Sequence, residues 1–143
     1  MSNTYQPVLI SHQAALQIVT NVIAEGSRRG LRLVATVVDP SLQVVAFCRA
    51  DGANPLNAGS SRRAAKTACA DDRPSGWMSD HDAIVLALAA GNEETNMRGG
   101  LPIRFDGVVV GGLGVGGAAP DDNVAVARAA LSSVDADDPM SVA

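Results

Sequence analysis

The chain has 143 residues and a formal net charge of −4, with 47% hydrophobic and 18% charged residues. That length suits one domain whose core closes without metal or disulfides, and the acidic balance argues against the concentrated basic face of a nucleic-acid site. No apolar run approaches the ~20 residues of a membrane span and no signal-type segment opens the chain, so a cytoplasmic protein with neither membrane nor nucleic-acid partners is expected.

In chain order, residues 1–7 read as a flexible arm, and the run from Pro7 through Val8, Leu9 and Ile10 as a short extended piece that could add a strand. Ser11 is a good N-cap, and Ala15, Leu16, Val19, Val22 and Ile23 recur at helical spacing, which predicts an amphipathic helix over 12–29. Arg28, Arg29 and Gly30 close it with cations at the negative end of the dipole and glycine just beyond. Leu31–Val38 and Gln43–Arg49 are β runs joined by Asp39-Pro40-Ser41-Leu42, a connection short enough to require an antiparallel hairpin. Asp51-Gly52 ends the second run.

A loop over 53–60 leads to a basic helix, capped by Ser60 or Ser61 and carrying Arg62, Arg63 and Lys66 to about Ala70. Residues 71–76 break it. A further helix is expected from about Asp80 to Ala90, followed by a polar loop that ends at Arg98. Strands at 103–105 and 108–115 flank Asp106-Gly107, a strong hairpin signal because the tight turn needs residues that tolerate positive φ. Pro120-Asp121-Asp122 starts the last helix, with acidic residues where its dipole favours them, and the acidic segment 134–143 is expected to fray. Hairpins separated by helices indicate a single α+β domain over 1–143 with a mostly antiparallel sheet of four or five strands.

Several motifs invite chemistry. Gly112, Gly114 and Gly117 fit G-x-G-x-x-G, but too little chain follows for the second parallel strand of a dinucleotide unit, and two carboxylates open the next helix. The glycines instead permit close approach of neighbouring backbone or of a ligand. His12 and His81 are far apart and Cys48 and Cys69 isolated, so no metal-binding spacing exists, and the cysteines read as small buried hydrophobes. An imidazole at His12 could reach a cofactor iron. Arg62, Arg63, Lys66 and Arg98 form a basic set that reads either as a solvated face or as an anion site, since guanidinium forks pair bidentately with carboxylates.

Gly99-Gly100-Leu101-Pro102-Ile103, Asp106-Gly107, Val110-Gly111 and Gly114-Val115, continued by Ala125, Ala127, Arg128 and Ala129, resemble the C-terminal signature of the haem-degrading-domain family of GlcG, HbpS and the PduO C-terminal domain. Val37-Val38-Asp39, Ala46-Phe47, Arg49, Asp51-Gly52, Lys66-Thr67-Ala68 and Arg73-Pro74-Ser75 match the same family, so the resemblance spans about residues 9–131. It implies a profilin-like α-β-α fold with about five antiparallel strands, homo-oligomers, and haem binding in some members. The chain departs from that pattern at Ser41-Leu42, where the family often has glycine, and at Ala64, where it commonly has lysine.

Two functions follow as expectations. In the first, the protein binds haem or another tetrapyrrole, with His12 as candidate axial ligand and the basic residues Arg62, Arg63, Lys66 and Arg98 meeting propionates. In the second, it is a cofactor-independent enzyme of hydrolase, deaminase or isomerase type acting on a small oxo-, imino- or unsaturated carboxylate. Arg62, Lys66 and Arg98 would grip that substrate beside Gly99, Gly100, Gly114 and Gly116, and Asp39, Asp51 or Asp106 would transfer protons.

Overall fold

The computed structural model describes residues 2–141; Met1 of the expected arm and Val142 and Ala143 of the expected tail lie outside them. Among the described residues, four helices and four strands follow one another as α1 (His12–Arg28), β1 (Val34–Val38), β2 (Val44–Arg49), α2 (Asn57–Asp71), α3 (Asp80–Ala89), β3 (Gly100–Phe105), β4 (Val108–Gly116) and α4 (Pro120–Ser132). One antiparallel sheet has the order β2-β1-β4-β3, which joins the two hairpins through β1 and β4. The α+β class and the two hairpins are as the sequence predicts. The sheet has four strands where about five were expected. Val8 and Leu9 are exposed, and the extended piece contributes one sheet bond, from the Ile10 N–H to the Val110 carbonyl at 3.0 Å, which is an attachment and not a ladder.

Side chains alternate across a strand, so each face of the sheet has its own partner. Ala35, Val37, Leu101, Ile103, Leu113 and Val115 pack with Ile18 and Val22 of α1 and Val126 and Leu131 of α4 into the main core. The opposite face carries Thr36 and Val38, and α2 lies over it, crossing β1, β4 and β3 but not β2. This leaves the outer strand β2 uncovered on the α2 side. Its Phe47 pairs in register with Thr36 and its Val44 with Val38, and both stay about half exposed.

The approach of α2 is very close. A Cβ on Gly100, Gly112 or Gly114 would overlap the carbonyl oxygens of Ala64, Ala65 and Ser61 respectively. The glycine block that resembled a nucleotide loop is therefore the bed of α2, which explains the spacing without a ligand.

α2 starts earlier than its serines suggested. Ser60 and Ser61 donate back to the carbonyls of Asn57 and Ala58 inside the helix, while Asn54 Oδ1 accepts from the Leu56 N–H to form the entry turn. In the first hairpin Leu42 takes a φ of 64°, so the turn keeps a glycine-like conformation although leucine occupies it. The segment that acidity marked for fraying carries specific contacts. The Asp137 carboxylate accepts from the Gly107 N–H at 2.7 Å and so braces the second hairpin turn, and the Ser141 carbonyl faces Arg104.

Cys69 is buried at the α2–sheet contact and Cys48 is partly buried, both as free thiols. Burial, with the charges of Asp39 and Asp72 behind it, pushes the Cys69 thiol up to about 11, so it stays protonated at neutral pH. A thiol reagent at pH 7.5 should leave Cys69 unmodified in the native protein and label it once denaturant is added, as read by mass spectrometry; rapid native labelling would contradict the packing described.

Candidate functional site

The sequence grouped its basic residues around the glycine block, and the structure distributes them. Lys66 Nζ holds Glu93 Oε2 at 2.6 Å, and Arg63 Nε donates to the Asn92 carbonyl at 2.8 Å, so both tie the loop after α3 to α2. The Lys66 ammonium, through its hydrogen bond, holds the Glu93 carboxyl below its ordinary range. Arg98 turns to Asp121 at the start of α4, at 2.5 Å. Gly99, Gly100, Gly114 and Gly116 are all buried; Gly99 lies against the Val115 carbonyl and Gly116 against the Asn57 side chain.

The carboxylates considered for proton transfer do not converge. Asp39 Oδ1 accepts from the Ser41 and Gln43 N–H groups at 2.9 and 3.3 Å and shapes the first hairpin turn. Asp51 lies in the exposed turn after β2, and Asp106 occupies the second hairpin turn at φ 52°. His12 is exposed at the first turn of α1, near Leu16, Gln17 and Thr20. Since α1 and α2 cover opposite faces, the sheet separates His12 from the basic helix. Among the described residues no group of three His, Cys, Asp or Glu side chains could hold a metal ion.

Arg62 is the exception to this dispersal. Its Nε is buried without a hydrogen-bond partner, and its nearest carboxylate contact, Nη2 to Glu93 Oε1, is long at 4.0 Å because Lys66 has the closer claim on Glu93. A buried donor left unsatisfied costs about 1–3 kcal/mol, more when charged. The only other such atom among the described residues is Asp71 Oδ2. That one lies beside another carboxyl, Glu94, which burial and then the Asp71 charge raise above its ordinary range, a direction that favours sharing a proton between the two. Arg62 Nε has no comparable remedy.

Arg62 borders an open groove of about 350 Å³ between α2 and β2, lined also by Thr36, Val44, Phe47, Ala58 and Gly59. At its base the Thr36 and Ser61 hydroxyls satisfy one another at 2.8 Å. The groove thus has an apolar wall with one aromatic ring, a spent polar floor and a guanidinium with an unused donor. Its size is at the lower end of small-ligand sites. This arrangement suits a flat apolar body that carries a carboxylate.

Sequence reasoning named Arg62 but missed its companions. Val44 and Phe47 read only as residues of the second β run. Only the sheet order reveals that α2 stops short of β2.

The family described as "Haem degrading protein HbpS-like" matches residues 10–132. No curated protein shows a significant match. Among solved structures, the Klebsiella pneumoniae protein ORFY superposes with a TM-score of 0.87 at 24% identity, over 94% of this chain and 97% of that one. HbpS superposes with a TM-score of 0.80 at 26% identity, over 92% and 94% of the two chains. A complex of PduOC with haem gives a TM-score of 0.82 at 18% identity, over 92% and 99%. The match over residues 10–132 takes in most of the chain, from α1 through α4, and the chain belongs to the HbpS-like haem-degrading protein family.

Proposed function

We propose that the protein binds haem, or a tetrapyrrole of the same amphipathic character, in the groove between α2 and β2. The observation that carries this reading is the buried, unpartnered Nε of Arg62 beside the exposed ring of Phe47. The residues fit the group: a propionate matches the unused donor, and Phe47, Val44 and Ala58 offer apolar surface to one porphyrin face. Haem when bound supplies an iron centre. The chain's own part is to anchor the carboxylate and to remove one face of the ring from water.

This reading divides two roles that the sequence had combined. His12 lies across the sheet from Arg62, so a haem anchored at Arg62 is not ligated by His12 of the same protomer. The enzyme alternative gains no comparable support, since Asp39, Asp51 and Asp106 occupy three separate turns.

Haemin titration followed by absorption tests the proposal. The native protein should shift the Soret band saturably. Arg62→Met, which keeps the apolar stem, should weaken binding about tenfold, the equivalent of ~1.4 kcal/mol for a lost charged hydrogen bond. His12→Ala should leave the curve unchanged. An Arg62→Met curve identical to that of the native protein would sink the reading.

A further inference from the structure

Arg62 and Lys66 stand one turn apart on α2, so a carboxylate placed between them can serve either. Glu93 is that carboxylate. Its Oε2 takes the Lys66 ammonium at 2.6 Å, while its Oε1 stops 4.0 Å from Arg62 Nη2. Lys66 is also the more sheltered partner, with 18% of its side chain exposed against 38% for Arg62, so solvent screens its hold on Glu93 less.

Glu93 does not depend on Lys66 to stay within reach. Arg63 Nε donates to the carbonyl of the preceding residue, Asn92, at 2.8 Å, and the Glu93 N–H donates to the Ala90 carbonyl at 3.2 Å. Two residues on, the Thr95 N–H donates to Thr67 Oγ1 at 3.0 Å. The loop is thus pinned to α2 on both sides of Glu93. Without the ammonium, the Glu93 carboxylate would turn to Arg62, whose planar fork donates to carboxylates in bidentate fashion. That pairing would neutralise the cation that borders the groove.

We propose that Lys66 is a positioning residue for the Arg62 site: it retains Glu93 and so leaves the Arg62 guanidinium open to a ligand carboxylate in the groove. This rests on the assignment of the ligand to that groove, and it gives Lys66 a part other than the propionate contact expected from the sequence.

Two measurements test it, one of them without ligand. In the native protein the Lys66 hydrogen bond holds the Glu93 carboxyl below its ordinary range. Followed by carbon-13 NMR, that carboxyl should still titrate low in Lys66→Met, because Arg62 takes over, and should rise toward its ordinary range only in Lys66→Met/Arg62→Met. A rise of the same size in Lys66→Met alone would overturn the proposal.

In haemin titrations, Lys66→Met should weaken binding about fivefold, and Glu93→Gln, which removes the competing charge, should tighten it about threefold. Lys66→Met/Glu93→Gln should bind at least as well as the native protein. A lysine that merely braces the loop, or that touches the propionate itself, predicts a double variant as weak as Lys66→Met, and that result would overturn the proposal. So would a native curve for Lys66→Met. If the native protein binds no haemin, the groove assignment falls, and the Glu93 titration alone decides whether Lys66 keeps Glu93 off Arg62.

Discussion

Gly114→Ala should destabilise the fold by about 3 kcal/mol or more, which in urea denaturation appears as a large fall in the midpoint with little native protein left at 37 °C. The added methyl would occupy the position of the Ser61 carbonyl oxygen and come within 2.7 Å of the Ala65 amide nitrogen. Neither atom belongs to a flexible side-chain end that could turn aside. α2 would have to lift from the sheet, and it also pairs Ser61 with Thr36 and carries Arg62 to the edge of the groove. Gly116→Ala is the internal control. Its new Cβ meets the Asn57 side chain at 3.3 Å, which a small shift can relieve, so a cost of about 1 kcal/mol or less is expected. Equal effects at the two positions would contradict the account of the glycine block as the bed of α2.

Asp72→Asn should cost about 3 kcal/mol, read in the same denaturation experiment. Arg104 is 4% exposed on β3, and its Nε donates to Asp72 Oδ1 at 2.6 Å while Nη2 reaches the Asp72 carbonyl at 2.7 Å. Asparagine preserves the shape and tolerates the left-handed backbone that Asp72 adopts at φ 50°, so the substitution isolates the charge. It leaves a buried guanidinium without its counter-ion. The loss should shrink in Asp72→Asn/Arg104→Met, where no charge remains to be compensated; a double variant as unstable as the single would point to packing and not to electrostatics.

The legible part of the fold was whatever local chemistry determines. Ser11 caps the first helix, Pro120 with Asp121 and Asp122 opens the fourth, and Asp106-Gly107 turns the second hairpin. The errors arose where an outcome depends on distant residues. Val8-Leu9-Ile10 has the composition of a strand, but a strand exists only if a neighbour offers a full ladder, and here Val110 offers one bond. The segment after α4 looked unsupported because its partners, the Gly107 N–H and the Arg104 side chain, lie about thirty residues earlier.

The site was legible in its cation and not in its walls. Helical spacing placed Arg62 and Lys66 on one face, but which of them is neutralised depends on Glu93, brought over by the loop after α3. Thr36, Val44, Phe47, Ala58 and Gly59 carry no local mark of a ligand site, since their exposure follows from β2 being the outer strand. The large apolar side chains of α3 likewise read only as part of a helix. Nothing local to that helix says that the rest of the protomer leaves them uncovered.

The central claim is the location of the ligand, and paramagnetic line broadening in an amide-resolved NMR spectrum tests it most directly. On addition of substoichiometric haemin, the amides of Thr36, Phe47, Ala58, Gly59 and Arg62 should broaden, while those of His12, Gln13 and Leu16 across the sheet should stay sharp. Broadening centred on His12 and the first turn of α1, with the α2–β2 groove unaffected, would contradict the assignment.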